Sequence, residues 1–587
     1  MLLSELIGRL ALPPDAAGSG GPDALAGPRS RAAIELVPGG GGPPAASVND
    51  PAASVTDPAG ASGDPELLGV TEDSRETGPG WIFCAFRGAS SDGRDFVPQA
   101  ERNGCAATIC APPDPGGARP RILVPEARLR EVASEAARLV CGEPDRRLYK
   151  IGVTGTNGKT TVCALAEAVL LAAGRRPGVL GTTGFRFPGG ETREAPNTTP
   201  EGPLLWRTLR DMADAGADCV AMEVSSHALA LGRLGSLGFD ICVFTNLSRD
   251  HLDFHGDMES YFQAKRLLFT GAGTAVPVGG AGGKPGDVPA RRAVINADDP
   301  YGRRLLSELG PDAVGFGFGD GRVRGTLRGS SREGLALGVV SPWGAMEIRS
   351  RLLGRFNAEN LLAAAALGLV AGFPAELVGR ALNGAGGAPG RLSRVGTDAG
   401  YLALVDYAHS PGAIEAAVAA VRELAPARLI VLFGCGGDRD RGKRPMMGRA
   451  AAGGDVAILT SDNPRTEDPD AIMDEAERGL AEAGLARVPG FGPDGMPAAE
   501  GGASGGSPAN GGRAASGGGA TGGTGVYLRE PDRGKAIALG AGIMGRGDIL
   551  LVCGKGHEDY QIVGREKRHF DDSEVTLAAL KAAGKSS

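Results

Sequence analysis

Short runs of β-branched residues recur along this chain, and most lead directly into polar segments carrying glycine or histidine. Alanine- and leucine-rich stretches of helical spacing separate them. The runs are Tyr149–Val153, Cys219–Val224, Ile241–Thr245, Ala293–Asn296, Leu429–Phe433, Val456–Thr460 and Ile549–Val552. Alternation of this kind specifies an α/β fold with parallel sheet. In such sheets ligands gather beyond the carboxyl ends of the strands, so the post-strand segments are predicted to converge. Five of the six histidines (His227, His251, His255, His409 and His557) lie in those segments. Each alone reads as a structural histidine; as a set they point to a site.

Three stretches break the pattern: about Pro13 to Asp64, Gly271 to Gly286, and Pro497 to Gly525. Gly, Ala, Pro and Ser dominate them, too little apolar surface to offset ordering entropy, so flexible insertions are predicted. What remains of the 587 residues is enough for three domains. A net charge of -7 argues against nucleic-acid or anionic-membrane partners. The nine cysteines are scattered singly, with no C-x-x-C pair, as in a cytosolic protein with reduced thiols. Glu5 and Arg9 interrupt the first apolar run, against a secretory signal, and the run Leu361 to Phe373 is too short to span a bilayer. A soluble cytoplasmic protein is predicted.

One post-strand segment carries clear chemistry. Gly155-Thr156-Asn157-Gly158-Lys159-Thr160-Thr161 follows the first central strand and opens a helix. Glycines let backbone amides close around phosphate, Lys159 supplies charge, and Thr160 offers a hydroxyl to Mg²⁺. Val153 occupies the position of the first glycine in the general G-x-x-x-x-G-K-[ST] pattern. A glycine-rich turn with a solvated lysine is the bland alternative, and the order strand, loop, GKT, helix disfavours it.

Glu223 ends another strand, His251 follows a third, and Lys265 lies in the helical segment DMESYFQAKRLLF. Helical spacing puts Lys265 on the same face as Met258, Tyr261, Phe262, Leu268 and Phe269. A lysine there either snorkels outward or has a function. An ammonium repels Mg²⁺, whereas a carbamate formed with CO₂ presents the oxygen ligands Mg²⁺ prefers. Spacing alone leaves both readings open.

Taken together, GTNGKTT, NTTPEG, EVSSHAL, FTNLSRDHLDFHG, YFQAKRLLF, GRFNAEN, VDYAHSP, GCGGDRDRGKRP, DNPR and GKGHEDYQ resemble the Mur ligases, in family order and over nearly all of the chain outside the insertions. The resemblance implies three α/β domains: a UDP-binding domain over 1-147, a central P-loop ATPase with parallel sheet over 148-388, and a Rossmann-like domain over 389-587. It implies ATP-dependent carbon–nitrogen bond formation through an acyl phosphate, releasing ADP, on cytoplasmic peptidoglycan precursors. The implied partners are small molecules and the implied state a monomer.

Residue by residue, the resemblance assigns Ser74, Ala89, Ser90 and Ser91 to the UDP sugar. Asn197, Thr198, Thr199, Ser225 and Arg233 fall to the muramoyl dipeptide. Magnesium is assigned Thr160, Glu223, His251 and Lys265 as its carbamate. ATP takes the phosphate loop with Asn357, Asn360, Arg391 and Asp406. Arg439, Asp462, Asn463, Pro464, Arg465, Gly554 and Glu558 match the pocket of the incoming amino acid. Glu72, beside Ser74, replaces the usual apolar neighbour. Within the family, Arg465 of DNPR resembles members that add meso-diaminopimelate. The distal end of that substrate needs a cation for its carboxylate, from Arg465 and Arg439, and an anion for its ammonium, from Glu558. Members that add L-lysine lack this arginine. Folylpolyglutamate synthase shares the phosphate loop but has no reason to carry DNPR with GKGHE, and a simple P-loop kinase would need no amino-acid pocket. A non-catalytic nucleotide-dependent binding protein is disfavoured because Lys159, Glu223 and Lys265 are all present.

Overall fold

The computed structural model describes residues 1–11, 35–37, 64–88, 91–270, 292–396, 400–492, 496–497 and 525–586. It resolves into two compact units. The first comprises Met1–Thr326, Gly338–Glu347 and Glu359–Leu382; the second comprises Leu327–Leu337, Ile348–Ala358 and Asn383–Ser587.

The first unit contains a small sheet near the amino terminus. Gly69–Thr71, Trp81–Ala85, Ala107–Cys110 and Arg121–Leu123 run parallel, and Glu35–Val37 adds antiparallel to Arg121–Leu123. Within the stretch read as an insertion, about Pro13 to Asp64, Glu35–Val37 forms this edge strand, and at its end Asp64 accepts a hydrogen bond from the Ser4 amide. The pattern was missed because three residues are too few to show a period. The rest of that stretch, and nearly all of the Gly271 to Gly286 and Pro497 to Gly525 segments, lie outside the described residues, as do Ala89 and Ser90.

The larger sheet of this unit is central to the site. Ala313–Gly317, Arg292–Asn296, Ile241–Phe244, Tyr149–Thr154, Cys219–Glu223 and Pro177–Gly181 lie side by side, all parallel. Sheets covered on both faces need continuous apolar strands, as in the fully buried runs Ile241–Phe244 and Cys219–Glu223. The helix Lys159–Ala172 follows the phosphate loop and buries Val162, Leu165, Ala166, Val169 and Leu170. Register sets Val153 opposite Glu223 and Thr154 opposite Phe244, so the chain leaves three adjacent strands at one level.

The second unit repeats the design. Leu402–Asp406, Ile549–Cys553, Leu429–Cys435, Val456–Ser461 and Val526–Arg529 are parallel, and Ser393–Val395 closes one side antiparallel. Asp406 pairs with Cys553 and Cys435 with Ser461, which brings four post-strand loops to one edge. Below that edge Arg533 and Asp572, both fully buried, form a two-pronged ion pair with bonds of 2.7 and 2.6 Å. The seven sequence-predicted strands are all present, with ends shifted by at most two residues.

Candidate functional site

The phosphate loop turns between two fixed neighbours. Thr245 accepts none of the loop's amides; its Oγ1 donates to the Asn157 carbonyl at 2.6 Å. Asn246 receives the amides of Thr156 and Asn157 through its backbone and side-chain oxygens, at 2.8 and 3.0 Å. Gly158 sits at φ 87°, and a Cβ there would collide with Asn360 Oδ1, so glycine is required on both counts. Asn360 is thereby placed against the loop. Lys159 folds back over it, donating to the carbonyls of Gly155 and Thr156, both at 2.9 Å. The helix amides that begin at Lys159 supply the positive end of the helix dipole at the same place.

Thr160 and Glu223 meet beneath the loop. Thr160 Oγ1 donates to Glu223 Oε2 at 2.9 Å, and the Thr182 amide donates to Oε1 at 2.7 Å. Glu223 is only 1% exposed, so these bonds satisfy a carboxylate that burial alone would disfavour. The adjoining segment carries the residues that the resemblance assigns to the dipeptide, and the structure ties them to the end of the Glu223 strand. Thr199 Oγ1 donates to the Glu223 carbonyl and accepts the Ser225 amide, at 2.8 and 3.0 Å. Arg233 donates to the Thr199 carbonyl at 3.0 Å and pairs with Glu201 at 2.9 Å, while Thr198 meets Thr182 hydroxyl to hydroxyl. Asn197 is exposed beside them.

Lys265 does not snorkel. It is 1% exposed, its Nζ donates to the Gly155 carbonyl at 2.8 Å, and it lies 4.6 Å from the centre of the Tyr261 ring. Burial, together with the nearby Lys159 ammonium, holds its pKa well below the ordinary lysine value. His251 shares Tyr261 as a neighbour, with ring centres 6.0 Å apart, and packs edge-on against His227 at 4.9 Å. Burial lowers the pKa of His251, and that of His227 falls to about 4, so both imidazoles are neutral and one can act as a ligand. His251 also adopts a left-handed backbone at φ 52°, a strained conformation for a non-glycine residue.

Among the described residues, no three His, Cys, Asp or Glu side chains gather closely enough to hold a metal ion by themselves. The Thr160 hydroxyl and Glu223 carboxylate are nonetheless oxygen donors of the kind Mg²⁺ prefers. Their chemistry fits a magnesium site.

In the amino-terminal sheet, Ser74 is buried; its Oγ donates to Gln99 at 3.0 Å and its carbonyl accepts Asn103 at 2.9 Å. The Ser91 carbonyl accepts the Gly88 amide at 2.9 Å. Glu72 is pushed up to about 7, chiefly by burial and also by Glu201.

The second unit gathers the amino-acid residues on its loop edge. Arg465 Nη1 donates to the Gly437 carbonyl at 2.7 Å. A Cβ on Gly436 would lie 3.1 Å from Arg465 Nη1 and 3.6 Å from Arg439 Cγ, so both arginines flank one glycine. Arg439 is exposed and Arg465 half-buried. The Arg465 backbone is left-handed at φ 52° and tied on both sides to the hairpin Tyr560–Val563/Glu566–His569, its amide to the Ile562 carbonyl and its carbonyl to the Gly564 amide. Glu558 Oε2 accepts Asn463 Nδ2 at 3.2 Å; burial first, and the Asp462 charge second, raise its pKa. A Cβ on Gly554 would lie 3.7 Å from the Asp462 carboxylate.

Arg391 lies 5.0 Å over the Tyr407 ring. Both carboxylate oxygens of Asp406 accept backbone amides, from Leu392 at 2.7 Å and Ala408 at 2.8 Å, so Asp406 braces the Arg391 turn. Asn357 is fully buried and donates to the Leu353 carbonyl at 2.8 Å. Sequence reasoning missed Lys555, which is fully buried among Asp462, Asn463 and Tyr560. A lysine inside GKGHE has no periodic pattern that would mark it as buried.

Three family models match the chain: "Mur ligase family, catalytic domain" over residues 66–140, "Mur ligase middle domain" over 153–368, and "Mur ligase, glutamate ligase domain" over 390–491. A UDP-N-acetylmuramoyl-L-alanyl-D-glutamate--2,6-diaminopimelate ligase of Geobacter metallireducens is 42% identical over 526 residues, covering 88% of this chain and 94% of the relative. The ligase of the same name from Geobacter sulfurreducens is 42% identical over 522 residues, covering 88% and 95%. A solved structure bearing that ligase name superposes with a TM-score of 0.57 at 31% identity, over 88% of this chain and 95% of that one. With three domain matches in order and relatives of this identity over most of its length, the chain belongs to the Mur ligase family of ATP-dependent, ADP-forming ligases.

Proposed function

We propose that the chain adds meso-diaminopimelate to the D-glutamyl γ-carboxylate of UDP-N-acetylmuramoyl-L-alanyl-D-glutamate, acting as a monomer in the cytoplasm. The observation that carries this reading is that the loop bearing the Arg465 guanidinium also holds the Glu558 carboxylate, through Asn463. The Arg465 guanidinium is anchored at Gly437, and the Glu558 carboxylate is anchored at Asn463, the residue two before Arg465. An amino acid with a second carboxylate and a second ammonium matches that pair, whereas L-lysine leaves the arginine without a partner. The names of the relatives support the same substrate. The reading takes the domains as 1-147, 148-388 and 389-587, and the three family matches each fall inside one of these ranges.

The chemistry follows from the groups present. A γ-carboxylate oxygen attacks the γ-phosphorus of ATP; ADP leaves and an acyl phosphate forms. The amine of diaminopimelate then attacks the acyl carbon, loses a proton, and phosphate departs. Lys159 and the amides at the start of its helix hold the ATP phosphates. Thr160, Glu223, His251 and the Lys265 carbamate would hold Mg²⁺, which neutralises phosphate charge when bound. Thr198, Thr199, Ser225 and Arg233, tied to the end of the Glu223 strand, orient the acceptor carboxylate. Asn197, exposed next to them, and Ser74 with the Ala89 to Ser91 loop complete the grip on the UDP-sugar dipeptide. Asn357, Asn360, Arg391 and Asp406 serve the nucleotide.

Three outcomes are expected. With ¹⁸O in the D-glutamyl γ-carboxylate, one labelled oxygen should appear in the released phosphate; unlabelled phosphate would exclude the acyl phosphate. Arg465→Ala should lower kcat/KM for diaminopimelate about 10- to 100-fold, the scale of one lost charge-assisted hydrogen bond, and leave the weak turnover of L-lysine within about threefold. An equal loss with both amino acids would mean that Arg465 only shapes the loop. Burial and the nearby Lys159 hold the Lys265 pKa well below the ordinary lysine value, so at a given pH more of its amine is in the free form that reacts with CO₂ than in an ordinary lysine, and that fraction shrinks as pH falls. Activity should therefore decline after exposure to CO₂-free, mildly acidic buffer and return with bicarbonate. Lys265→Met should be inactive and unresponsive to bicarbonate; recovery of that variant would refute the carbamate.

A further inference from the structure

Lys555 is a residue of the GKGHE segment to which no role has been given. It is 0% exposed, yet it lies between the two loops that carry the amino-acid pocket. A buried ammonium must have its three donors satisfied, and it has no acceptor to offer. Here Nζ donates to Asn463 Oδ1 at 3.0 Å and to the Tyr560 carbonyl at 2.7 Å, and it stands at ion-pair distance, 3.2 Å, from Asp462 Oδ1. Two of its donors are thus hydrogen-bonded within the protein, and the Asp462 carboxylate offsets its charge at ion-pair distance without a hydrogen bond.

The consequence falls on Asn463. Its Oδ1 receives both Lys555 Nζ and the Ile562 amide, the latter at 2.9 Å. Two donors that cannot accept define which end of the amide is oxygen, and so place the NH₂ on the other side. That NH₂ points to Glu558 Oε2 at 3.2 Å. One buried cation thereby settles the orientation of the amide that holds the pocket's carboxylate. It also holds Asp462, whose carboxylate lies beside Gly554.

We propose that Lys555 is the positioning residue of the amino-acid pocket, fixing the Asn463 amide so that the pocket presents one donor and acceptor pattern to the incoming amino acid. The inference rests on the reading of this pocket as the diaminopimelate site. A lysine that served stability alone would, when replaced, lower the melting temperature or the active fraction and leave the three Michaelis constants in proportion. A positioning lysine changes one of them.

The test is a steady-state comparison of wild type, Lys555→Met and Lys555→Gln with ATP, UDP-N-acetylmuramoyl-L-alanyl-D-glutamate and meso-diaminopimelate each varied in turn. For Lys555→Met, KM for diaminopimelate should rise about tenfold or more, while the other two stay within about twofold. Lys555→Gln retains a donor able to reach Asn463 Oδ1 and should recover part of the loss. Should the methionine variant not fold, the glutamine variant is judged by the same selective rise. Three constants moving together, or a fall in kcat with KM for diaminopimelate unchanged, would overturn the proposal. If wild type itself fails to use diaminopimelate, the pocket reading falls and the inference with it. If wild type uses it and neither variant shows a selective rise, the inference alone falls.

Discussion

The register between Tyr149–Thr154 and Cys219–Glu223 is the constraint on which the arrangement around the glycine-rich loop depends. Because Val153 pairs with Glu223, the phosphate loop and the carboxylate leave the sheet at the same level. Thr160, the second residue of the following helix, can then reach Glu223 Oε2. A one-residue slip would turn Glu223 to the other face of the sheet and break that bond. The neighbouring pair, Thr154 with Phe244, brings Thr245 and Asn246 against the loop from the opposite side. The apolar cores of the strands thus set a polar arrangement that none of its members could hold alone.

The second unit uses the same principle with different residues. Loops after Asp406, Cys435, Ser461 and Cys553 rise from parallel strands in matched register. They bring Arg439, Asp462 to Arg465 and Gly554 to Glu558 onto one edge. Charge burial then refines the arrangement: Lys555 joins the DNPR and GKGHE segments, and the Arg533–Asp572 pair lies below them with Arg533 Nη2 also bonded to the Cys553 carbonyl. Removing one partner of such a buried pair would leave an uncompensated charge in the interior.

Much of this was legible in the residues. The β-branched runs marked all seven strands considered, because strands buried on both faces must be apolar throughout. Helical periodicity placed Lys265 on a buried face, where the structure has it. Less visible were features without a period. Glu35–Val37 was absorbed into a glycine- and proline-rich stretch because three residues carry no detectable alternation. Lys555 lies in a loop, where burial depends on partners nearly a hundred residues away in sequence. The left-handed backbones of His251 and Arg465 are set by their surroundings, since positive φ is uncommon for residues other than glycine.

The most direct measurement is product formation by purified protein with ATP, Mg²⁺ and UDP-N-acetylmuramoyl-L-alanyl-D-glutamate, offering meso-diaminopimelate or L-lysine. Phosphate release and product mass are followed together. The account expects stoichiometric phosphate and a tripeptide product with diaminopimelate, and little of either with lysine. Preferential use of lysine would contradict the roles given to Arg465 and Glu558, and turnover with neither would contradict the ligase reading.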